Sequence, residues 1–493
     1  QVALNPAAMN VSMAILRRTK RQTKRPRVVV VGAGSAGAVI AARLSQNQQV
    51  DVLLLESGPD VPSAREALGI QSTDFVEALE VVNRNLRIPV RRTASQDLSD
   101  YVRGTGTGGS SSVNAMVGMW GMASDYDRWA RDLGCEGWSW RDVAPVFANL
   151  LIPLHTTLPS EWGNIDRALV DAATDLGIER RDDLSTAPLA GHGVGAVSLT
   201  CGGGRRASVN DIYLEPARLR SNLEIRGNSA VDRLNMSGND VLGVRLADGS
   251  DIDADAVVVC AGAIATPQIL LRTKIQRSGI GQGVKDHPAV AFTLALKEPS
   301  KAQYAVSTLL RTTSTTTGKH FENSQSTQGD IHLLPLNHTT AHDNMHGAMF
   351  AAVMRVYSTG SITDSKIDLD LLSDERDMRA MTEATLMLAT MIEGRTFTGV
   401  AHSVGNELTT DDMQGWLLNN VGSYSHIGCS SKMGAVTDED AVVDTGGKVI
   451  GYSHVWVCDA SIFPDLPTGN THLPVVMMAE RISQRISESL SPN

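Results

Sequence analysis

The stretch RPRVVVVGAGSAGAVIAARLSQNQQVDVLLLES, Arg25 to Ser57, leaves little freedom in what this chain can build. Val28 to Val31 are all apolar and β-branched, the composition of a parallel strand buried on both faces. The run opens into Gly32, Gly34 and Gly37, spaced G-x-G-x-x-G. Ala38 to Ser45 are mostly small and apolar, as in a packed helix, and a second apolar run, Val52 to Leu55, ends in Glu56. Each part has a physical use. Gly32 allows a tight turn, Gly34 lets backbone approach a pyrophosphate, and Gly37 lets helix pack on strand. The free N–H groups at the helix start suit phosphate, and Glu56 suits ribose hydroxyls. Strand, helix, second strand and terminal acid in register predict a dinucleotide site rather than a Gly-rich turn in some other α/β protein.

A chain of 493 residues exceeds one small core, so two or more domains are expected. A net charge of -10 argues against nucleic acid as a partner. Five cysteines are scattered with no C-x-x-C, which points to a reducing, cytoplasmic setting and to no metal cluster or disulfide framework. No apolar run approaches the length of a membrane span. Residues 1–25 form a basic leader without Asp or Glu. A disordered tail is the expected reading, with an organelle transit peptide or a membrane-surface contact as alternatives.

Further along, RGTGTGGSSSVNAMVGMWGMASDYDRWA (Arg103 to Ala130) opens with glycines and hydroxyls that cannot form a core helix and suits a loop close to an anion. Residues 151–190 read as helical and polar. From about Gly193 the pattern turns to strands, and from Asn222 the alternation and the Ser237-Gly238 and Asp248-Gly249 turns predict a β-meander. Ala256 to Cys260 then reads as another parallel strand, followed by a helix with Pro267 near its start. Residues 288–420 carry short strands and one amphipathic helix, Asp374 to Glu393. Val455 to Cys458 returns to the first style, ahead of a helix from Leu473 to Ser489.

Five motifs in order, the opening fingerprint, GGSSSVNAM, AGAIATPQILL, Asp286-His287-Pro288 and the run from YSHIGCSSKMG to GNTHLPVVMMAER, make the chain resemble the glucose–methanol–choline (GMC) oxidoreductases. The resemblance implies an α/β fold: a discontinuous Rossmann-type FAD-binding domain with a second, α+β substrate domain containing an antiparallel sheet. The expected boundaries are 26–150, 191–287 and 436–493 for the FAD-binding domain, 288–435 for the substrate domain, and 151–190 bordering it. It places His426 and His472 at the two active-site positions. It places cofactor contacts at Gly32, Gly34, Ser35, Ala36, Gly37, Glu56, Ser57, Arg103, Gly109, Asn114, Met116, Val117, Val231, Asp459 and Ala460. Some members carry a flavin-linking histidine where this chain has Val113, so FAD is expected to be non-covalent. Two departures stand out: Ile427-Gly428 replaces the usual Pro-Val, and the S-G-I-G-P segment expected after Leu271 is missing.

The activity so implied is oxidation of a small-molecule alcohol, with O₂ or another acceptor taking the electrons onward. Flavin accepts hydride, and a histidine near neutrality suits the base. His426 follows a loop and precedes Gly428, where close approach to a ring is possible. His472 precedes Pro474 at a helix start, whose positive end favours negative charge on reduced flavin. Asp459 is expected to orient the cofactor rather than act as an acid. Cys429 reads as a small buried thiol, and Asp286-His287 as a domain-junction turn. Two other readings remain: a non-redox enzyme of the same fold (hydroxynitrile lyase-like or photodecarboxylase-like), and a flavoprotein with a partner-binding role only. The Val113 substitution makes a direct prediction: acid precipitation of the yellow protein releases its flavin, and flavin retained in the pellet would contradict it.

Overall fold

The computed structural model describes residues 25–186, 192–315, 329–405 and 408–490; the basic leader lies outside them, except for Arg25. Its first organising element is a five-stranded parallel sheet, in the order Leu223–Arg226, Asp51–Leu55, Arg27–Val31, Ala256–Val259, Val455–Val457. The valine run is hydrogen-bonded on both sides, and Val28, Val29 and Val30 are fully buried. A central parallel strand is covered on both faces, so it carries no polar alternation. The predicted meander is present as Val231–Ser237, Asp240–Leu246 and Asp251–Asp253. Leu223–Arg226, just ahead of it, instead forms the edge of the parallel sheet.

Helices Gly37–Leu44 and Gly262–Thr273 follow the first and fourth strands of the pattern. Pro267 lies in the second turn of its helix rather than the first. Its missing N–H leaves the Ala263 carbonyl without a helix donor, and Ser430 Oγ fills that place at 2.6 Å. The carboxyl ends of all five strands gather at one edge, where open α/β sheets bind ligands.

The second unit is a mostly antiparallel sheet. Its order is Ala401–Val404, Pro288–Leu296, His346–Val353, Ile331–Leu336, Thr308–Thr312, Gly193–Ala196, Arg180–Arg181, with only the last pair parallel. Gly193–Ala196 thus stands in this sheet, although it falls within a segment expected to serve the cofactor. Helix Glu375–Glu393 packs against it, burying Met378, Met381, Thr385, Leu388 and Ile392 at helical spacing. Asp374 caps the helix: its side chain accepts from Arg376 N at 2.9 Å.

The two units meet where the chain enters and leaves this sheet. Gly422–Ser423 pairs with Ala289 and Pro288 along the sheet edge. The ladder continues outward: Tyr424 N donates to His287 O at 2.9 Å, and Lys285 and Gly428 exchange both backbone bonds. Between those pairs one residue, Asp286, faces three, Ser425 to Ile427. The excess forms a bulge, with Ser425 at a φ of 63°. Bulges re-aim side chains, and this one turns His426 out of the ladder into a cavity.

Candidate active site

The cavity, about 830 Å³, runs along the carboxyl edge of the parallel sheet. Glycines build its floor, for two different reasons. A Cβ on Gly37 would drive into the Gly32 carbonyl, so that glycine serves the protein's own packing. A Cβ on Gly34 would come no nearer than 3.9 Å to any other atom, the Gly109 Cα. The protein does not require glycine there, so the space suits a group that enters from outside. Helix Gly37–Leu44 begins beside it with no side-chain cap on its N–H groups, as a pyrophosphate would use them. These observations fit FAD.

Glu56 is buried at the end of its strand, and its carboxylate is largely engaged by the protein. Oε2 accepts from Ala33 N at 2.8 Å. Oε1 accepts from Gly58 N at 2.9 Å, Gly106 N at 3.1 Å and Ser57 Oγ at 3.2 Å. Oε1 carries three of these bonds and Oε2 only one, so Oε2 keeps a lone pair for a ribose hydroxyl. Glu56 therefore clamps both glycine loops together and can still receive a ligand. Asp459 is similarly committed. It accepts from Gly262 N at 2.8 Å, Thr266 Oγ1 at 2.6 Å and Ser461 N at 2.8 Å, capping helix Gly262–Thr273. Burial raises its pKa against these bonds, which places it as an organiser of the wall. Asn114 Oδ1 accepts from Met116 N at 3.1 Å and Arg206 Nη1 at 2.8 Å, which fixes the loop where Met116 adopts a φ of 60°.

At the other end stands His426, buried to 7 % exposure. Its Nδ1 lies 2.9 Å from Nδ1 of His287, with the rings edge-on, and its Nε2 lies 3.2 Å from Asn470 Nδ2. Burial holds its pKa well below the ordinary histidine value, helped by His287 and then by Arg103. His287 is pushed down to about 3, chiefly by burial, with Lys285 lowering it further against Asp465 and the Met354 carbonyl. Burial thus disfavours the charged form of both rings. Asp286 holds the pair in place: Oδ1 accepts the backbone N–H of both His287 and His426 at 2.8 Å, and Oδ2 accepts Tyr101 Oη at 2.6 Å and Ser423 Oγ.

Of the sequence-derived residues, Gly32, Gly34, Ser35, Ala36, Glu56, Ser57, Arg103, Gly109, Asn114, Met116, Val117, Val231, Asp459, Ala460, His426 and His472 all wall this one cavity, and Gly37 stands just behind it. His472 Nδ1 meets Ser35 Oγ at 3.1 Å, while its Nε2 is buried without a partner. Its pKa falls to about 4, from burial and then Arg206. The His426 ring thus meets Asn470 and His287 rather than His472. The close approach at Gly428 is made by protein, since a Cβ there would meet Leu466 and the Ala460 carbonyl. Asp286-His287 read as a junction turn in the sequence, Asn470 only as a candidate cap of the last helix, and Tyr101 and Tyr424 carried no signal beyond lying inside or beside the motifs. Cys429 is a buried thiol whose pKa burial raises, as expected.

The chain matches the GMC oxidoreductase family in its N-terminal part over residues 20–289 and in its C-terminal part over residues 354–479. It is 31% identical to an oxygen-dependent choline dehydrogenase of Paraburkholderia phytofirmans, covering 93% of each chain. A Staphylococcus xylosus protein of the same name is 29% identical over 93% of this chain and 94% of its own. The first alignment extends over 535 positions, more than the 493 residues present here, so that relative carries segments this chain lacks. In three dimensions, pyridoxine 4-oxidase from Mesorbium loti superposes with a TM-score of 0.82 at 24% identity, over 93% of this chain and 99% of that one. A formate oxidase of Aspergillus oryzae RIB40, studied for its FAD modification, gives 0.81 at 18%, over 95% and 100%. Both establish likeness of fold. No described helix is long and apolar enough to cross a membrane.

The two glycines should separate folding from cofactor binding. Gly37→Ala is expected to lose about 3 kcal/mol of stability through overpacking, read as a lower Tm of the flavin-free protein. Gly34→Ala should keep that Tm and lose flavin affinity, measured by titration of the stripped protein with FAD. Equal affinity for Gly34→Ala and wild type would show that the cradle at Gly34 is not the pyrophosphate site.

Proposed function

Because the chain belongs to the GMC oxidoreductases, flavin-dependent enzymes that act on CH–OH donors, we propose that it oxidises a small alcohol to an aldehyde or ketone with His426 as the base. FAD, when bound, supplies the acceptor for hydride. His426 has only one nitrogen to offer a substrate, and this observation carries the mechanism. Two neutral imidazoles whose Nδ1 atoms lie 2.9 Å apart share one proton between them. With that proton on His426, its Nε2 presents a lone pair to the cavity, where Asn470 Nδ2 now donates. His287 then carries its own proton on Nε2. The Met354 carbonyl favours a proton on that ring, although Nε2 makes no well-aligned hydrogen bond. The tautomer of His287 thereby fixes that of His426.

The substrate hydroxyl takes over the His426 Nε2 position from Asn470 and gives up its proton there as hydride leaves carbon. His472 Nε2, buried and unpartnered, is free to donate to the same oxygen. Its neutral state fits a hydrogen-bonding rather than a charge-bearing role. The non-covalent attachment of FAD is supported by Val113, a side chain without a nucleophile that packs with Ile70 and Ala78 against the cavity.

His426→Ala should keep fold and flavin and slow alcohol-driven flavin reduction by ~10²–10⁴ in single turnovers. His472→Ala should slow the same step, with His472→Asn retaining more, since an amide still donates. The double alanine variant should lose less than the product of the single losses, as groups acting together are non-additive. Rapid anaerobic mixing with saturating alcohol reads each rate. Wild-type rates in both single variants would remove the pair from catalysis, and failure of any alcohol to bleach wild-type flavin would favour the non-redox reading. Reoxidation by O₂ against a quinone then distinguishes oxidase from dehydrogenase.

pH gives an independent check. The folded-state pKa values of His287, His426 and His472 all lie below the unfolded value of about 6.5. Neutral histidines therefore add stability in full above that pH. It declines as pH falls below about 6.5 and is gone below the folded values, about 4 for His472 and about 3 for His287. Flavin reduction should stay level down through about pH 6.5, because the base is already neutral there. A rate that halves near that pH would assign the base to a group with an ordinary histidine pKa.

A further inference from the structure

We infer that this cavity takes an uncharged alcohol with an apolar body and disfavours a quaternary ammonium alcohol such as choline; this rests on the alcohol-oxidising function proposed above. The acids in the described wall are Glu56, Asp100 and Asp459. Glu56 and Asp459 are held by backbone and hydroxyl donors at the cofactor end. Asp100 is a rim residue with a half-exposed side chain, paired to Arg87 at 3.1 Å. Asp286, close to the base, accepts four hydrogen bonds and is fully buried outside the wall. Among the described residues, no carboxylate at the reactive end is left for a cation.

The charge that does stand there is positive. Arg103 Nη2 donates to the carbonyl of Ser425, next to His426, at 2.5 Å, and its field contributes to the lowered pKa of His426. An aromatic face can replace a carboxylate for a quaternary ammonium. Arg103 already occupies that option at Tyr101, with its guanidinium carbon 4.8 Å from the ring centroid. Tyr424 packs edge-on against Phe350 and His426. A second cation would meet repulsion in a poorly solvated site with no countercharge. Of the buried, unpartnered polar atoms in the wall, Tyr424 Oη and His472 Nε2 are neutral, and Arg92 Nε belongs to a second cation. Toward the mouth the wall is apolar, with Leu79, Leu86, Ile88 and Ile367. Leu79 and Leu86 keep 37% and 48% of their surface in water, so an apolar body entering there gains by covering them.

Neohexyl alcohol, in which carbon replaces the quaternary nitrogen of choline, isolates charge from shape. Anaerobic stopped-flow reduction of the FAD-loaded full chain compares it with choline, benzyl alcohol and octyl alcohol. Neohexyl alcohol should exceed choline in kred/Kd by about tenfold or more. Choline equal to or better than its carbon isostere overturns the inference and leaves alcohol oxidation intact. Bleaching by none of the four overturns alcohol oxidation, and the inference with it. Arg103→Gln should narrow the gap between the two isosteres, and Arg103→Lys should keep it; a gap unchanged in a flavin-loaded Arg103→Gln overturns the charge argument. Should neither variant fold, the wild-type comparison decides alone.

Discussion

A carboxylate sealed from water holds this active site together. Asp286 has no exposed surface, and an unpaired charge in such a place costs several kcal/mol. Four donors from three segments offset that cost: Tyr101 from the strand entering the glycine–serine loop, Ser423 and the His426 N–H from the bulged ribbon, and the N–H of His287 beside it. Burial still raises its pKa, and Arg103 works against the rise. Because the donors include the backbone of both histidines, this carboxylate fixes the main chain from which the imidazoles project. Because Tyr101 also accepts from Ile427 N at 3.0 Å, the glycine–serine loop and the His426 segment are tied together.

Much of this was legible in the sequence where the signal is local. The valine run, the glycine spacing and the Glu56 terminus are contiguous, and their pattern maps directly onto one strand–helix–strand unit. The amphipathic helix was placed to within one residue, because Asp374 both ends the loop and caps the helix. The linkage of His287 to His426 was not legible. It spans 139 residues and depends on the register of an edge pairing and on two extra residues in a bulge. No periodicity encodes a bulge, since it is the place where periodicity fails. The same reason hid Gly428. Its spacing suggested a ligand, and only the packing of Leu466 and Ala460 shows what approaches it. Glu56 and Asp459 both line the cavity, but the number of backbone donors each satisfies is a property of loops meeting in space.

Electrostatically the reactive end sets buried imidazoles beside a cation, Arg103. His287, His332 and His426 are buried close enough that a proton on one disfavours a proton on another. Arg311 adds to this at His332, and Arg206 at His472. Burial and these neighbours disfavour a proton on His426. As a base it is weak, and a weak base helps only if the proton it receives is stabilised at the moment of transfer.

The same reasoning explains why the donor to His426 is an amide. A charged donor at Asn470 would add to the positive field of Arg103 and lower the proton affinity of Nε2 further, while a carboxylate would hold a proton on the ring permanently. An amide does neither. It satisfies a buried nitrogen that would otherwise cost about 1–3 kcal/mol to leave unpaired, and a hydroxyl can replace it with little net change in hydrogen bonding. His426 thus stands between a second imidazole, His287, on one side and a neutral, exchangeable amide on the other.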